Sequence, residues 1–182
     1  MLKNKKLLVI AILAVSVILY FVIPWSKPLY GNDEESIIKV IRSIEGYGAE
    51  SAIIEILDIT DVREHRIVSL LFNQSPAYAG FTRNDKGDYR WSYFEVRKDE
   101  SLSQFTTHVL DEDGAPQKML YVANEDNKIA EIRMTVNGEV VEIDIRPNAK
   151  DVVWVELPRA EEKTYRFDYA YFDEEGNEIE QH

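Results

Sequence analysis

The stretch EIRMTVNGEVVEID, residues 131–144, decides how this chain is read. At its centre Asn137-Gly138 is the dipeptide best suited to a two-residue turn in which both backbone φ angles are positive, so the flanking segments form an antiparallel hairpin. The turn also sets the register: Val136 faces Glu139, Met134 faces Val141, Arg133 faces Glu142 and Ile132 faces Ile143. The apolar pairs then share one face and the Arg–Glu pair lies on the other, the pattern of a half-buried sheet.

Working outward, further runs carry the same signature. Lys118 to Ala123, Ile129 to Val136, Glu139 to Ile145, Val152 to Leu157 and Tyr165 to Phe172 read as strands with turn residues at each junction. Upstream, Ile53 to Ile59 and Arg66 to Phe72 flank the polar turn Asp61 to Glu64. Tyr78 to Thr82 and Tyr89 to Val96 flank Asn84-Asp85-Lys86-Gly87, whose residues tolerate left-handed backbone angles. Residues 98–117 are less regular, with a short strand from Phe105 to Leu110. One helix precedes the strands: Asn32 or Asp33 caps it, Glu34 and Glu35 favour its positive end, and Ile37, Val40, Ile41 and Ile44 make one apolar stripe. Gly46 and Gly48 end it.

The fold class expected is α+β, mostly β: antiparallel sheets with one amphipathic helix. The expected division is a helix with an antiparallel sheet over 32–116 and an immunoglobulin-like β-sandwich unit over 117–182, with a single continuous domain as the alternative.

Ahead of all this the composition changes. Lys3, Lys5 and Lys6 precede an apolar run from Leu7 to Ile23. As a helix, these about 17 residues cover roughly 26 Å of a hydrocarbon slab of about 30 Å. Pro24 and Trp25 follow, as at a membrane exit. A cleaved secretory signal is the rival, but it needs small residues just before the cut, and Pro24 to Pro28 offers no such pair. Residues 1–25 are therefore read as a cytoplasmic tail and transmembrane signal anchor, and 26–31 as a linker. The lysines put the amino terminus in the cytoplasm and everything from Ser26 outward on the far side of the cell membrane.

Three of the 21 basic residues and none of the 33 acidic ones lie before the linker, so the remainder carries 18 basic and 33 acidic residues, a net charge of −15. Such a surface repels nucleic acid and anionic headgroups and attracts cations or basic partners. With no Cys, thiol redox chemistry, Cys-ligated metals and a lipidated cysteine are excluded.

Chemistry-bearing candidates are few. His65, His108 and His182 are dispersed, and no zinc helix, nucleophile elbow, phosphate loop or dinucleotide fingerprint occurs. The acidic runs at Asp111, Glu112, Asp113 and at Asp173, Glu174, Glu175 supply oxygen ligands of the kind calcium takes, with Asp111, Asp113, Asp173 and Glu175 as the ligands; each also ends in Gly and reads as a turn. Strand alternation puts Tyr89, Trp91 and Tyr93 on one face, a platform for stacking a sugar ring or gripping a peptide, against the plainer reading of a core contact. Tyr165, Phe167, Tyr169 and Tyr171 likewise share a face.

The basic-apolar leader, the Gly87 to Trp91 hairpin and the Tyr171 to Ile179 stretch together resemble uncharacterised envelope-anchored proteins of Gram-positive bacteria. That resemblance implies an extracytoplasmic accessory role, with immunoglobulin-type modules in the final third. The function expected is a membrane-anchored binding, sensing or assembly module of the cell envelope, engaging another envelope protein or a cell-wall component. The alternatives are a cell-wall-directed hydrolase using carboxylates and a calcium-dependent adhesion or regulatory domain.

Overall fold

Asp33 starts helix α1 (Glu34–Ser43) through a reciprocal cap. Its carboxylate accepts from the Ser36 N–H at 2.8 Å, while Ser36 Oγ accepts from the Asp33 N–H at 2.9 Å. Ile44 leaves the helix in an extended conformation, and Gly46 follows with φ 85°, which glycine adopts without strain. The computed structural model describes residues 28–107, 118–158 and 164–180. Leu7 to Ile23, the expected anchor, lies outside them; among the described residues no helix is long and apolar enough to cross a membrane.

The described chain is mostly antiparallel β with this one helix, as expected. Strands β1 (Ile54–Val62), β2 (His65–Phe72), β3 (Ser75–Arg83) and β4 (Tyr89–Val96) form a first sheet in chain order. The two expected hairpins are present, and a third joins β2 to β3 through Asn73 and Gln74, both at positive φ (50° and 68°). That turn lacks the Gly that would have advertised it.

Strands β5 (Leu102–Thr106), β6 (Lys118–Ala123) and β9 (Asp151–Glu156) form a second sheet, ordered β5-β6-β9. β5 falls in the stretch assigned by sequence to the first unit, yet it pairs with β6, so the first four-stranded sheet is complete by Val96. The third sheet is ordered β11-β10-β7-β8, from β7 (Glu131–Val136), β8 (Glu139–Asp144), β10 (Phe167–Phe172) and the two-residue β11 (Glu178–Ile179). The β7–β8 register is the one expected from Asn137-Gly138, whose φ angles are 51° and 90°.

Three apolar clusters hold these layers. Ile37, Val40 and Ile41 of α1 lie on Val68, Leu70, Ala77, Ala79 and Phe81; the small side chains of β3 let the helix approach. The opposite face of the first sheet, with Ile67, Leu71 and Tyr78, meets Phe105, Leu120 and Val122 of the second. The other face of the second sheet, with Met119, Tyr121 and Ala123, packs with Ile132, Met134, Val136 and Ile143 of the third. β6 is thus covered on both sides, which explains why Met119 to Ala123 is an unbroken run of buried residues rather than an alternating one.

Candidate functional site

The two halves of the chain meet at a groove on one flank, where β1 of the first sheet runs near β9 of the second. Its cause is local. Between Ile56 and Asp58 the β1–β2 register shifts, leaving Leu57 as the extra residue of a bulge. Ile54 and Ile56 before the bulge pack with the helix-side cluster, whereas Asp58 beyond it sits opposite Ser69, on the face turned toward the second sheet. There Asp58 Oδ2 accepts from Thr60 Oγ1 at 2.6 Å and from the indole Nε1 of Trp154 at 3.4 Å.

Beside it, Lys150 Nζ lies 2.8 and 2.9 Å from the two carboxylate oxygens of Glu55 and 3.5 Å from Glu125. The Glu55 hydrogen bond raises the Lys150 ammonium above its ordinary pKa, so it is firmly charged. Arg146 Nη2 is 2.7 Å from Asp151 Oδ1, and the Arg146 backbone N–H donates to Oδ2 at 2.9 Å. Burial pushes the Asp151 carboxyl upward, but the Arg146 contacts outweigh it and hold the pKa below its usual value. Asp58, Trp154, Lys150, Arg146 and Asp151 line a groove of about 440 Å³, with Leu57, Thr60 and Val152 completing the wall and Glu55 behind Lys150. The groove offers two cations and an indole, groups able to engage a ligand through charge, hydrogen bonding and stacking; its carboxylates Asp58 and Asp151, and Glu55 beside it, are each held by a neighbour.

No protein-family model, curated protein or solved structure matches this chain.

The residues singled out from sequence fall elsewhere. Tyr89, Trp91 and Tyr93 do not share a face, because β4 carries a bulge of its own: Phe81 pairs with Trp91 and Gly80 with Tyr93, leaving Ser92 as the extra residue. Tyr89 joins the helix-side cluster at 8% exposure, and its hydroxyl donates to Asp61 at 3.0 Å. Tyr93 is half-buried on the other face against Tyr78, donates to Glu95, and has its phenol pushed up to about 12 by burial and that bond. Trp91, 42% exposed, is alone of the three in presenting a large surface to solvent. The simple alternation used to align the three fails at one inserted residue.

Tyr165, Phe167, Tyr169 and Tyr171 do share a face, with successive ring centroids 5.7, 6.0 and 6.1 Å apart and nearly parallel planes. They are half-buried along the core between the second and third sheets. Asp173 closes the turn that follows: its Oδ1 accepts from the backbone N–H groups of Glu175 and Asn177 at 2.9 and 2.8 Å, and Asn177 Nδ2 reaches Glu175 Oε2 at 3.2 Å. The Asn177 contacts lower the Asp173 pKa, and Gly176 takes φ 80°. Asp111, Glu112, Asp113, His108 and His182 lie outside the described residues, and among those described no group of three or more acidic or His side chains is arranged to hold a metal ion. His65 begins β2, opposite Val62.

Sequence reading missed Asp58, Lys150 and Trp154. The available signal was the pair of acids Glu55 and Asp58 in the otherwise apolar run Ile53 to Ile59.

Proposed function

We propose that this chain is a membrane-anchored binding or assembly module of the cell envelope, its strand-rich body held outside by Leu7 to Ile23 and its recognition surface the groove between β1 and β9. The observation that carries the reading is the groove itself. It is built by residues some 95 positions apart in sequence, as in the Lys150–Glu55 pair, and it gathers an indole and two cations on an otherwise strongly acidic body. A polar cleft with few convergent groups at the junction of two structural layers suits a ligand rather than a reaction centre here, because its carboxylates accept hydrogen bonds from fixed neighbours.

The strand order supports a finer reading of the second half as an immunoglobulin-type sandwich. Sheet β5-β6-β9 faces sheet β11-β10-β7-β8, and the chain crosses between them at β6–β7, β8–β9 and β9–β10. Modules of that kind serve adhesion and assembly on many cell surfaces, which fits another envelope protein or a cell-wall component as the partner.

Two measurements test this. External protease added to intact cells should remove the carboxy-terminal body while leaving a membrane-retained leader; full protection overturns the orientation. In the full-length membrane protein, a photo-crosslinking residue at Thr60 should give one discrete adduct, absent when the same residue is placed at Asp85 in the exposed β3–β4 turn. Identical patterns from both positions, or none from Thr60, overturn the groove.

A further inference from the structure

Among the described residues β8 is an outer strand of the third sheet, paired with β7 on one side and with no strand on the other. Because a two-residue turn makes Val136 and Glu139 the closing hydrogen-bonded pair, Glu139, Val141 and Ile143 bond to β7, and the backbone groups of Val140, Glu142 and Asp144 point away from the sheet. The Ile145 N–H, bonded to the Ala130 carbonyl at 2.9 Å, keeps the same parity. The side chains of Val140, Glu142 and Asp144 also face outward, since Val141 and Ile143 turn to the core; Val140 is 60% exposed.

Three other edges are blunted: β1 and β4 carry bulges, and β11 is two residues long. β8 runs six residues without a register shift and contains neither Pro nor a basic residue.

Its charge selects what can pair there. Glu139, Glu142 and Asp144 lie on the strand; Arg133 stands opposite Glu142 and is ion-paired to Glu131 at 2.6 Å, so one cation is shared by these acids, and Asp144, directly opposite Glu131, makes a like-charge pair. A second copy of β8 would set acid against acid, and anionic lipid is repelled for the same reason. A segment with Lys or Arg at alternate positions relieves the repulsion while its backbone completes the open row of hydrogen bonds.

We propose that β8 takes up an extended basic segment of a partner polypeptide as an added outer strand of the third sheet. The assignment is independent of the β1–β9 groove.

The test uses the full-length protein in detergent micelles and a labelled peptide of alternating Val and Lys, with alternating Val and Glu, and a block peptide of three Lys then three Val, as comparisons. The alternating basic peptide should bind saturably, weaken at least tenfold between 50 and 300 mM salt, and slow hydrogen exchange at the Val140, Glu142 and Asp144 amides. Val140→Pro removes an N–H that bonds nothing in the sheet and should abolish binding with the melting point nearly kept; Glu142→Gln with Asp144→Asn should weaken it about tenfold and gives an answer even if Val140→Pro unfolds. Trp91→Ala should bind normally. Equal binding of the block peptide, no protection at the three amides, insensitivity to the charge variant, or self-association of the free protein that the charge variant strengthens by admitting a second β8 would each overturn the assignment.

Discussion

Arg66 and Asp61 face each other across the β1–β2 hairpin, with guanidinium Nε and Nη2 2.7 and 2.8 Å from the two carboxylate oxygens. The same guanidinium donates through Nη1 to the carbonyls of Gly31 and Asn32 at 3.0 and 2.8 Å and lies 3.9 Å over the Tyr89 ring. Gly31 itself is pressed on Phe81, where a Cβ would come within 2.4 Å of the ring. One side chain therefore fastens the segment leading into α1 to the β1–β2 hairpin end of the first sheet.

Arg66→Met should keep much of the apolar stem but leave Asp61 and two carbonyls without their donor. A loss of about 2 kcal/mol is expected from such groups. Chemical denaturation measures it, and hydrogen exchange should rise first at Gly31, whose N–H donates to the Tyr89 carbonyl at 2.8 Å, and at Tyr89, whose N–H donates to Asn32 Oδ1 at 2.9 Å. An unchanged midpoint would show that the segment is held by other contacts.

Acid should weaken the fold through the same carboxylate. The Arg66 hydrogen bond lowers the Asp61 pKa below its ordinary value near 3.8, so its stabilisation is present above that value and is lost as pH falls through the lower folded one. The melting-point difference between the natural chain and Asp61→Asn should be largest near pH 6 and shrink below about pH 4. A difference that stays constant down to pH 2 would contradict it.

Ser69 is fully buried on β2, and among the described residues its Oγ has no hydrogen-bond partner. Ser69→Ala removes that hydroxyl at little loss of volume and should stabilise by about 1 kcal/mol, raising the melting point by roughly 2–4 °C. A fall would mean that the hydroxyl is satisfied in solution.

Trp91→Ala and Tyr89→Ala should separate sharply although both lie on β4. The exposed Trp91 should cost little, a melting point within about 2 °C of the natural chain, whereas removing the buried Tyr89 ring, with its contacts to Arg66 and Asp61, should cost about 3 kcal/mol. Similar losses for both would return Trp91 to the core and end its candidacy as a binding residue.

Legibility followed locality. The Asn137-Gly138 hairpin, a cap at Asn32 or Asp33, of which the structure uses Asp33, and the stripe Ile37, Val40, Ile41, without the Ile44 also expected in it, were readable because each depends on residues a few positions apart, whose backbone preferences act before any tertiary contact forms. The Asn73-Gln74 turn was hidden because only Asn73 favours the left-handed region, and the pairing of β2 with β3 holds Gln74 there where a Gly would have marked the turn. The shared face expected for Tyr89, Trp91 and Tyr93 was lost to one inserted residue, Ser92, and no propensity marks a bulge.

The amino-acid order by itself determined most of the strand-forming segments, the acidic body, the amphipathic helix and the register of the central hairpin, since alternation and turn chemistry are properties of neighbouring residues; it placed the fifth strand at Phe105 to Leu110 where the structure has Leu102–Thr106, and it did not mark β11. Only the tertiary structure decided that β5 joins β6, that Asp58 turns toward Trp154, and that Lys150 meets Glu55: these depend on how sheets stack and where a bulge reverses a face, and side chains nearly a hundred residues apart leave no mark of their meeting in the order of the chain.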